Sequence, residues 1–161
     1  MPSKTTSLKL DSIDLRILEI LQLDGETQVA QVAERVGLST TPCWRRIQRM
    51  KDAGVITRQV ALVDPKAVNV GVTVFVLVRT ASHTQKWFDR FRATVQAIPE
   101  VVEFYRMSGD VDYLLRVVVP DIAAYDTVYK RLTEGTELKG VSSSFAMEEL
   151  KFTTALPLSY A

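Results

Sequence analysis

Apolar positions recur at helical spacing three times within the first fifty residues. Over DSIDLRILEILQL (11–23), Ile13, Ile17, Ile20 and Leu21 share one face. Asp11 suits the N-cap and Leu10 can staple the helix start. Asp24-Gly25 then breaks the pattern. Over TQVAQVAERV (27–36), Val29, Val32, Ala33 and Val36 line one side. Thr27 is the expected cap there, and Gly37 the left-handed terminator. Over STTPCWRRIQRM (39–50), Cys43, Ile47 and Met50 fall at i, i+4 and i+7 and form a buried stripe. Ser39 caps this helix, Pro42 falls in its first turn, where a missing N–H costs little, and Gly54 closes it. The run VITRQVALVD (55–64) alternates, which predicts a short β-hairpin or ribbon turning near Gln59. Three short helices with tight connections and a trailing hairpin predict a winged helix-turn-helix domain over residues 1–63.

The period then changes. DPKAVNVG (64–71) reads as a linker. VTVFVLVRTA (72–81) is dense in β-branched residues, as a strand should be. KWFDRFRATVQAI (86–98) is an amphipathic helix with Trp87, Phe88, Phe91, Val95 and Ile98 inward. VVEFYRM (101–107) and YLLRVVV (113–119) are strands around the turn SGDVD (108–112). IAAYDTVYKRL (122–132) is a second helix with Ile122, Tyr125, Val128, Tyr129 and Leu132 on its apolar side, and VSSSFAMEELKF (141–152) a last strand. The order βαββαβ predicts a ferredoxin-like domain over 72–161, an antiparallel sheet with both helices on one face. The fold class is therefore α+β. The other sheet face would carry Phe75, Phe104 or Tyr105, and Phe145 or Met147, depending on register. A bare apolar face normally finds a partner, so a sheet-to-sheet homodimer is expected.

Charge sharpens the first half. The chain of 161 residues has a net charge of only +1. Residues 1–63 carry +2 and residues 64–161 carry −1, whereas 39–58 alone carry +4, from Arg45, Arg46, Arg49, Lys51 and Arg58 against Asp52. Any polyanion-binding face is thus local rather than a general basic coat. A recognition helix presents small polar residues and then Arg or Gln to base edges and phosphates. Ser39, Thr40, Thr41, Trp44, Arg45 and Gln48 fall opposite the buried stripe or on its flanks. Arg46 and Arg49 sit at the shoulders and suit phosphates, and Arg58 could reach flanking backbone. Trp44 is expected to lie partly on the helical core. A solvated face is the common reading of an arginine-rich helix, but the helix-turn-helix context favours double-stranded DNA.

The single cysteine, Cys43, excludes an internal disulfide and a Cys-rich zinc site; it reads as a buried apolar residue. The N-terminus lacks a signal-peptide core, and the apolar run from Val70 to Val78 is too short to span a bilayer, so a soluble cytoplasmic protein is expected. His83, the only histidine, lies in a TASHTQ loop and reads as solvated. Glu148 and Glu149, adjacent on an expected strand, would face opposite sides. With no nucleophile–base pair, metal cluster or phosphate cradle in the sequence, neither a catalytic residue nor a metal or other cofactor is expected.

Several long stretches resemble the Lrp/AsnC, or feast/famine, family of transcription regulators. LDSIDLRILEILQLDG resembles its first helix, GLSTTPCWRRIQRMKDAGVI its recognition helix, and SGDVDYLLRV with SSFAMEELKFTTALPL its effector domain. The variant TTPCWRRIQRM with SGDVDYLLRV is most similar to the branch tied to cysteine or sulfur amino-acid catabolism. The resemblance implies a regulator that binds pseudo-palindromic DNA, dimerises and assembles to an octamer or another multiple, and responds to a small amino-acid effector. It also implies an effector site at Arg106, Met107, Ser108, Gly109, Asp110, Asp112 and Tyr113, with Ser144, Phe145 and Ala146 of the last strand. Asp110 or Asp112 could accept from an ammonium, and a Gly-containing turn can offer N–H groups to a carboxylate. Arg106 stands where an apolar residue is common in the family, which disfavours a purely apolar effector. The alternative is a ferredoxin-like metabolite-binding oligomer or enzyme whose helical domain makes protein contacts. A third reading is non-specific DNA compaction.

Overall fold

Asp11 starts the first helix, α1 (Ser12–Leu23), through reciprocal bonds with Asp14. Its Oδ1 accepts from the Ile13 and Asp14 N–H groups, each at 2.9 Å, and Asp14 Oδ2 accepts from the Asp11 N–H at 3.1 Å. This is seen in a computed structural model that describes residues 8–161. Helix α2 (Val29–Val36) follows, and α3 (Thr40–Asp52) after it. The N-cap of α2 is Gln28, where Thr27 was expected; the Thr27 hydroxyl instead donates to Asp24 at 2.9 Å and is buried. Gly37 ends α2 at φ 74°, a conformation that costs a residue with a Cβ about 1–2 kcal/mol.

Ile17, Val32, Cys43 and Met50 are fully buried where the three helices meet, with Leu18, Ala33, Val36 and Ile47 around them. Each large apolar side chain in such a core contributes about 1.5–3 kcal/mol. The expected hairpin is not formed. Residues 57–64 carry no strand assignment, and Val60, Leu62 and Val63 are exposed. Alternation makes a segment extended, but a ladder needs a second strand in register. Gln59 instead ties this segment back, donating to the Gly25 carbonyl at 2.9 Å and accepting from Lys51 Nζ at 3.1 Å.

The chain forms two compact units, which are described separately. The first runs to Leu62 and also takes in Lys151–Ala161. The second is Val63–Leu150. The boundaries expected from sequence (1–63, 64–71, 72–161) are therefore corrected at the C-terminal end. Leu156 exchanges two hydrogen bonds with the Gln22 side chain on α1, at 2.7 and 3.3 Å, and Leu158 packs against the helical core.

The second unit has the order β1 (Val72–Thr80), α4 (Gln85–Gln96), β2 (Val101–Arg106), β3 (Tyr113–Val119), α5 (Ile122–Thr133) and β4 (Leu138–Phe145). The strands lie in the order β2-β3-β1-β4, every pair antiparallel. This is the ferredoxin-like arrangement. Val74, Val76, Val78, Leu115, Val117 and Val119 point to one face and are covered by Phe91 and Val95 of α4 and Val128 and Leu132 of α5. Strand β4 stops at Phe145, opposite Val74, because β1 has nearly run out at that end. Glu148 and Glu149 consequently lie beyond the sheet, not on a strand. Among the described residues, no helix is long and apolar enough to cross a membrane.

Candidate functional site

The buried stripe of α3 orients its remaining surface. With Cys43, Ile47 and Met50 turned inward, Ser39, Thr40, Thr41, Trp44 and Arg45 are exposed and Gln48 is half-buried. Trp44 is 50% exposed, so it divides its ring between the helical unit and solvent. Arg58 is exposed on the extended segment, not on a wing strand. Burial pushes the Cys43 thiol above its ordinary pKa, with Arg46 opposing, which keeps the thiol neutral and unreactive.

The shoulder arginines do something other than expected. Arg46 Nη1 donates to Asp11 Oδ2 at 2.6 Å and to Asp14 Oδ1 at 2.9 Å. Arg49 Nη2 donates to Asp14 Oδ2 at 2.5 Å. The Asp14 side chain is fully buried, and a buried carboxylate must be paired. The two guanidinium groups thus fasten α3 to the start of α1. The Asp14 N–H first, and Arg46 second, hold the Asp11 carboxyl below its ordinary pKa, while Asp11 and then Asp14 raise that of Arg46. Of the three arginines on α3, Arg45 alone is left pointing outward without an intramolecular ion pair among the described residues.

In the second unit the turn between β2 and β3 is closed by the Met107 N–H, which donates to the Asp112 carbonyl at 2.8 Å. Gly109 sits at φ 115°, where a side chain would be strained. Asp112 bolts this turn to β1: its N–H donates to the Val78 carbonyl at 3.0 Å, and its Oδ2 accepts from the Thr80 N–H at 2.8 Å. Its other oxygen lies 3.8 Å from His83 Nδ1, on a loop histidine that is 67% exposed. Asp112 is therefore a fixture of the turn, and Asp110, exposed beside Arg106, Met107 and Ser108, is the freer carboxylate.

Two of the expected effector residues lie on the helix-covered face. Tyr113 is 4% exposed and lies among Trp87, Phe88, Phe91 and Phe104 on the helix-covered face, so its ring belongs to the core. Phe145 also turns to that face and meets Tyr125 edge-on, while Ser144 lies opposite Phe75 on the other. The β4 positions are, moreover, far from the turn within one chain. Ser144 and Phe145 pair with Phe75 and Val74, and Ala146 donates to the Thr73 carbonyl, whereas the turn is bolted at Val78 and Thr80. Five residue steps along the strand separate Phe75 from Thr80, about 17 Å. The part of β4 beside the turn is Gly140–Ser142, which sequence reasoning missed. A hollow of about 350 Å³ lies there, lined by Leu77, Arg79, Val111 and Gly140–Ser142.

Register also settles the open sheet face. Phe75, Leu77, Leu114, Val118 and Tyr105 share it, and Phe104 does not. Near its centre Arg116 donates to Glu103 Oε1 at 2.7 Å, and the Tyr105 hydroxyl donates to Oε2 at 3.0 Å. The Glu103 carboxylate raises the Tyr105 pKa.

Both units match known families. The winged helix-turn-helix DNA-binding model matches residues 10–57, and the Lrp/AsnC ligand binding domain matches residues 73–156. The chain belongs to the Lrp/AsnC family. A relative named DNA-binding transcriptional activator DecR, from Escherichia coli K12, is 47% identical over 150 residues, which cover 92% of this chain and 99% of that protein. Among solved structures, an AsnC family transcriptional regulator from Agrobacterium tumefaciens is 64% identical, with a TM-score of 0.90 over 94% of this chain and 99% of its own. A transcriptional regulator from Neisseria meningitidis, solved as a complex with L-methionine, is 35% identical with the same TM-score and the same coverages. This Lrp/AsnC protein is a DNA-binding transcription regulator and not an enzyme, and its C-terminal sheet domain is the family's ligand-binding domain.

Proposed function

We propose that the protein is a cytoplasmic regulator that binds pseudo-palindromic DNA through α3 and answers to an amino acid held beside the 108–112 turn. The observation that carries the DNA reading is the inward anchoring of α3. It leaves Thr40, Thr41, Arg45 and Gln48 to meet base edges and phosphates. Arg58 and Trp44 flank that surface. Two such helices in a dimer would meet major grooves about 34 Å apart.

The open sheet face, with Phe75, Leu77 and Tyr105, is the dimerisation surface in this reading, and dimers assemble further, to an octamer or another multiple. The effector is a zwitterion. Asp110 accepts from its ammonium, and Arg106, Met107, Ser108 and Gly109 form the surrounding turn. The N. meningitidis relative, solved with L-methionine, supports an amino acid as the chemical class. Ser144 and Ala146 belong to this site only if a second copy brings them to the turn. Binding at such a seam shifts an equilibrium of assemblies, and a coupling of about 1–3 kcal/mol suffices.

Fluorescence anisotropy with the promoter fragment adjoining the protein's own gene, titrated across salt, tests the DNA reading. Arg45→Ala should weaken binding and lower the log–log salt slope by roughly 0.9, the value for one lost phosphate contact, with unchanged thermal stability. Equal affinity and slope in Arg45→Ala and wild type would remove α3 from the interface.

A further inference from the structure

A carboxylate stands where the helical unit could have been apolar. Asp14 is 0% exposed, one turn before Ile17 and Leu18 of the core. Burying a charge can cost more than a close ion pair returns, and an apolar residue of similar size at such a place is often neutral or stabilising. Fold stability therefore does not account for Asp14. A buried ion pair does supply fixed geometry to its partners, and here both partners are arginines of α3.

The two arginines are held differently. Arg46 Nη1 donates to both Asp11 and Asp14, and its side chain is 26% exposed. Arg49 gives only Nη2 to Asp14, at 2.5 Å, and is 45% exposed. A guanidinium carries five N–H donors in one plane, so a carboxylate behind it leaves the outer edge of the fork free. Arg49 lies one turn beyond Arg45 on α3, and residues four apart on a helix are surface neighbours. Arg49 thus continues the outward surface of Arg45 on the side toward α1.

Resting on the α3 reading above, we infer that Asp14 is a positioning residue for DNA binding: it fixes the Arg49 guanidinium so that its outer edge meets a backbone phosphate beside the groove that α3 enters. A long side chain loses rotamer freedom when a phosphate orders it. Arg49 has lost that freedom on folding, so its phosphate contact does not incur the loss again. Phosphate contacts set the register of a protein on the duplex, so a fixed Arg49 aims the α3 side chains at base edges. Charge alone predicts the opposite sign for Asp14. It is an anion behind a DNA-facing arginine, and removing its charge should tighten binding and steepen the salt dependence. A positioning role makes the same change weaken binding.

Full-length wild type, Asp14→Asn, Arg49→Ala, Arg49→Lys and Arg45→Ala are titrated by fluorescence anisotropy with the promoter fragment adjoining the protein's own gene. Salt runs from about 50 to 200 mM, and circular dichroism confirms that each variant is folded at the assay temperature. Arg49→Ala should weaken binding and lower the log–log salt slope by roughly 0.9. Asp14→Asn should weaken binding roughly tenfold, as the loss of one charge-assisted hydrogen bond does, with a shallower slope despite its added positive charge. Wild-type binding by Arg49→Ala, or binding by Asp14→Asn as tight as wild type or tighter, overturns the positioning role. Weaker binding by Asp14→Asn at the wild-type slope marks a merely structural residue and overturns it too. Where Asp14→Asn does not fold, Arg49→Lys decides. It keeps the charge and loses the fork, so weaker binding than wild type supports the assignment and wild-type binding overturns it. A loss confined to Arg45→Ala removes the role of Asp14 and leaves the α3 reading standing. No loss in any variant removes both.

Discussion

Asp14 shows how a residue's surroundings decide its role. Its carboxylate is fully buried and satisfied by Arg46, Arg49 and the Asp11 N–H. Asp14→Asn should destabilise the helical unit by about 2 kcal/mol, less than the loss of a fully buried pair because both arginines keep some solvent. Urea unfolding measures this. Asp11 gives a pH dependence with a defined sign. Its pKa is lowered in the folded state, so its contribution is complete above the ordinary value of 3.8 and is lost as pH falls through the folded value. The stability difference between wild type and Asp11→Ser, which keeps a cap oxygen and has no carboxylate, should therefore be largest above pH 3.8 and shrink as the pH falls. Circular dichroism against pH reads the difference. None of this pairing was legible in the sequence. An arginine at a helix shoulder has the same spacing whether it meets a phosphate or a carboxylate more than thirty residues away. Cys43, Ile47 and Met50 were legible, because their stripe depends only on helical period.

Elements were legible where periodicity alone defines them and illegible where a neighbour does. The helices and the strands β1 to β3 fall within a few residues of the pattern's expectation. The end of β4 does not, because a strand ends where its partner ends, and β1 supplies no partner beyond Val72. The choice between Phe104 and Tyr105 for the open face was undecidable for a related reason. Alternation fixes which residues share a side, and only cross-strand register says which side is covered. The same limit explains VITRQVALVD, whose alternation was real but unmatched in this chain. The candidate effector set illustrates it most sharply. Its two sequence segments look like one site, yet the antiparallel pairing of β1 and β4 sends Ser144 toward Val72 and Gly140 toward the turn. Within a single copy, geometry places the turn beside Arg79 and Gly140 rather than beside Phe145.

At the scale of the whole molecule, the order of domains was readable from the change of period near residue 72, but the fate of the last eleven residues was not. TTALPLSY has neither helical nor strand spacing, and its place is set by one side chain, Gln22, and one apolar contact, Leu158. Deleting Lys151–Ala161 should cost the helical unit about 1–2 kcal/mol, from two exposed hydrogen bonds and a partly buried leucine. Hydrogen exchange should report faster opening of α1 with unchanged protection of β1 and β3. In chain terms the ligand-binding unit is an insertion: the polypeptide leaves the helical unit after Leu62 and comes home after Leu150. The reader of DNA is thus held by two covalent strings instead of one, and the second descends directly from β4, four residues past Ala146. A tag fused at Ala161, or a protease cut near Leu150, would act on the DNA-binding end of the protein while leaving its nearest neighbours in sequence untouched.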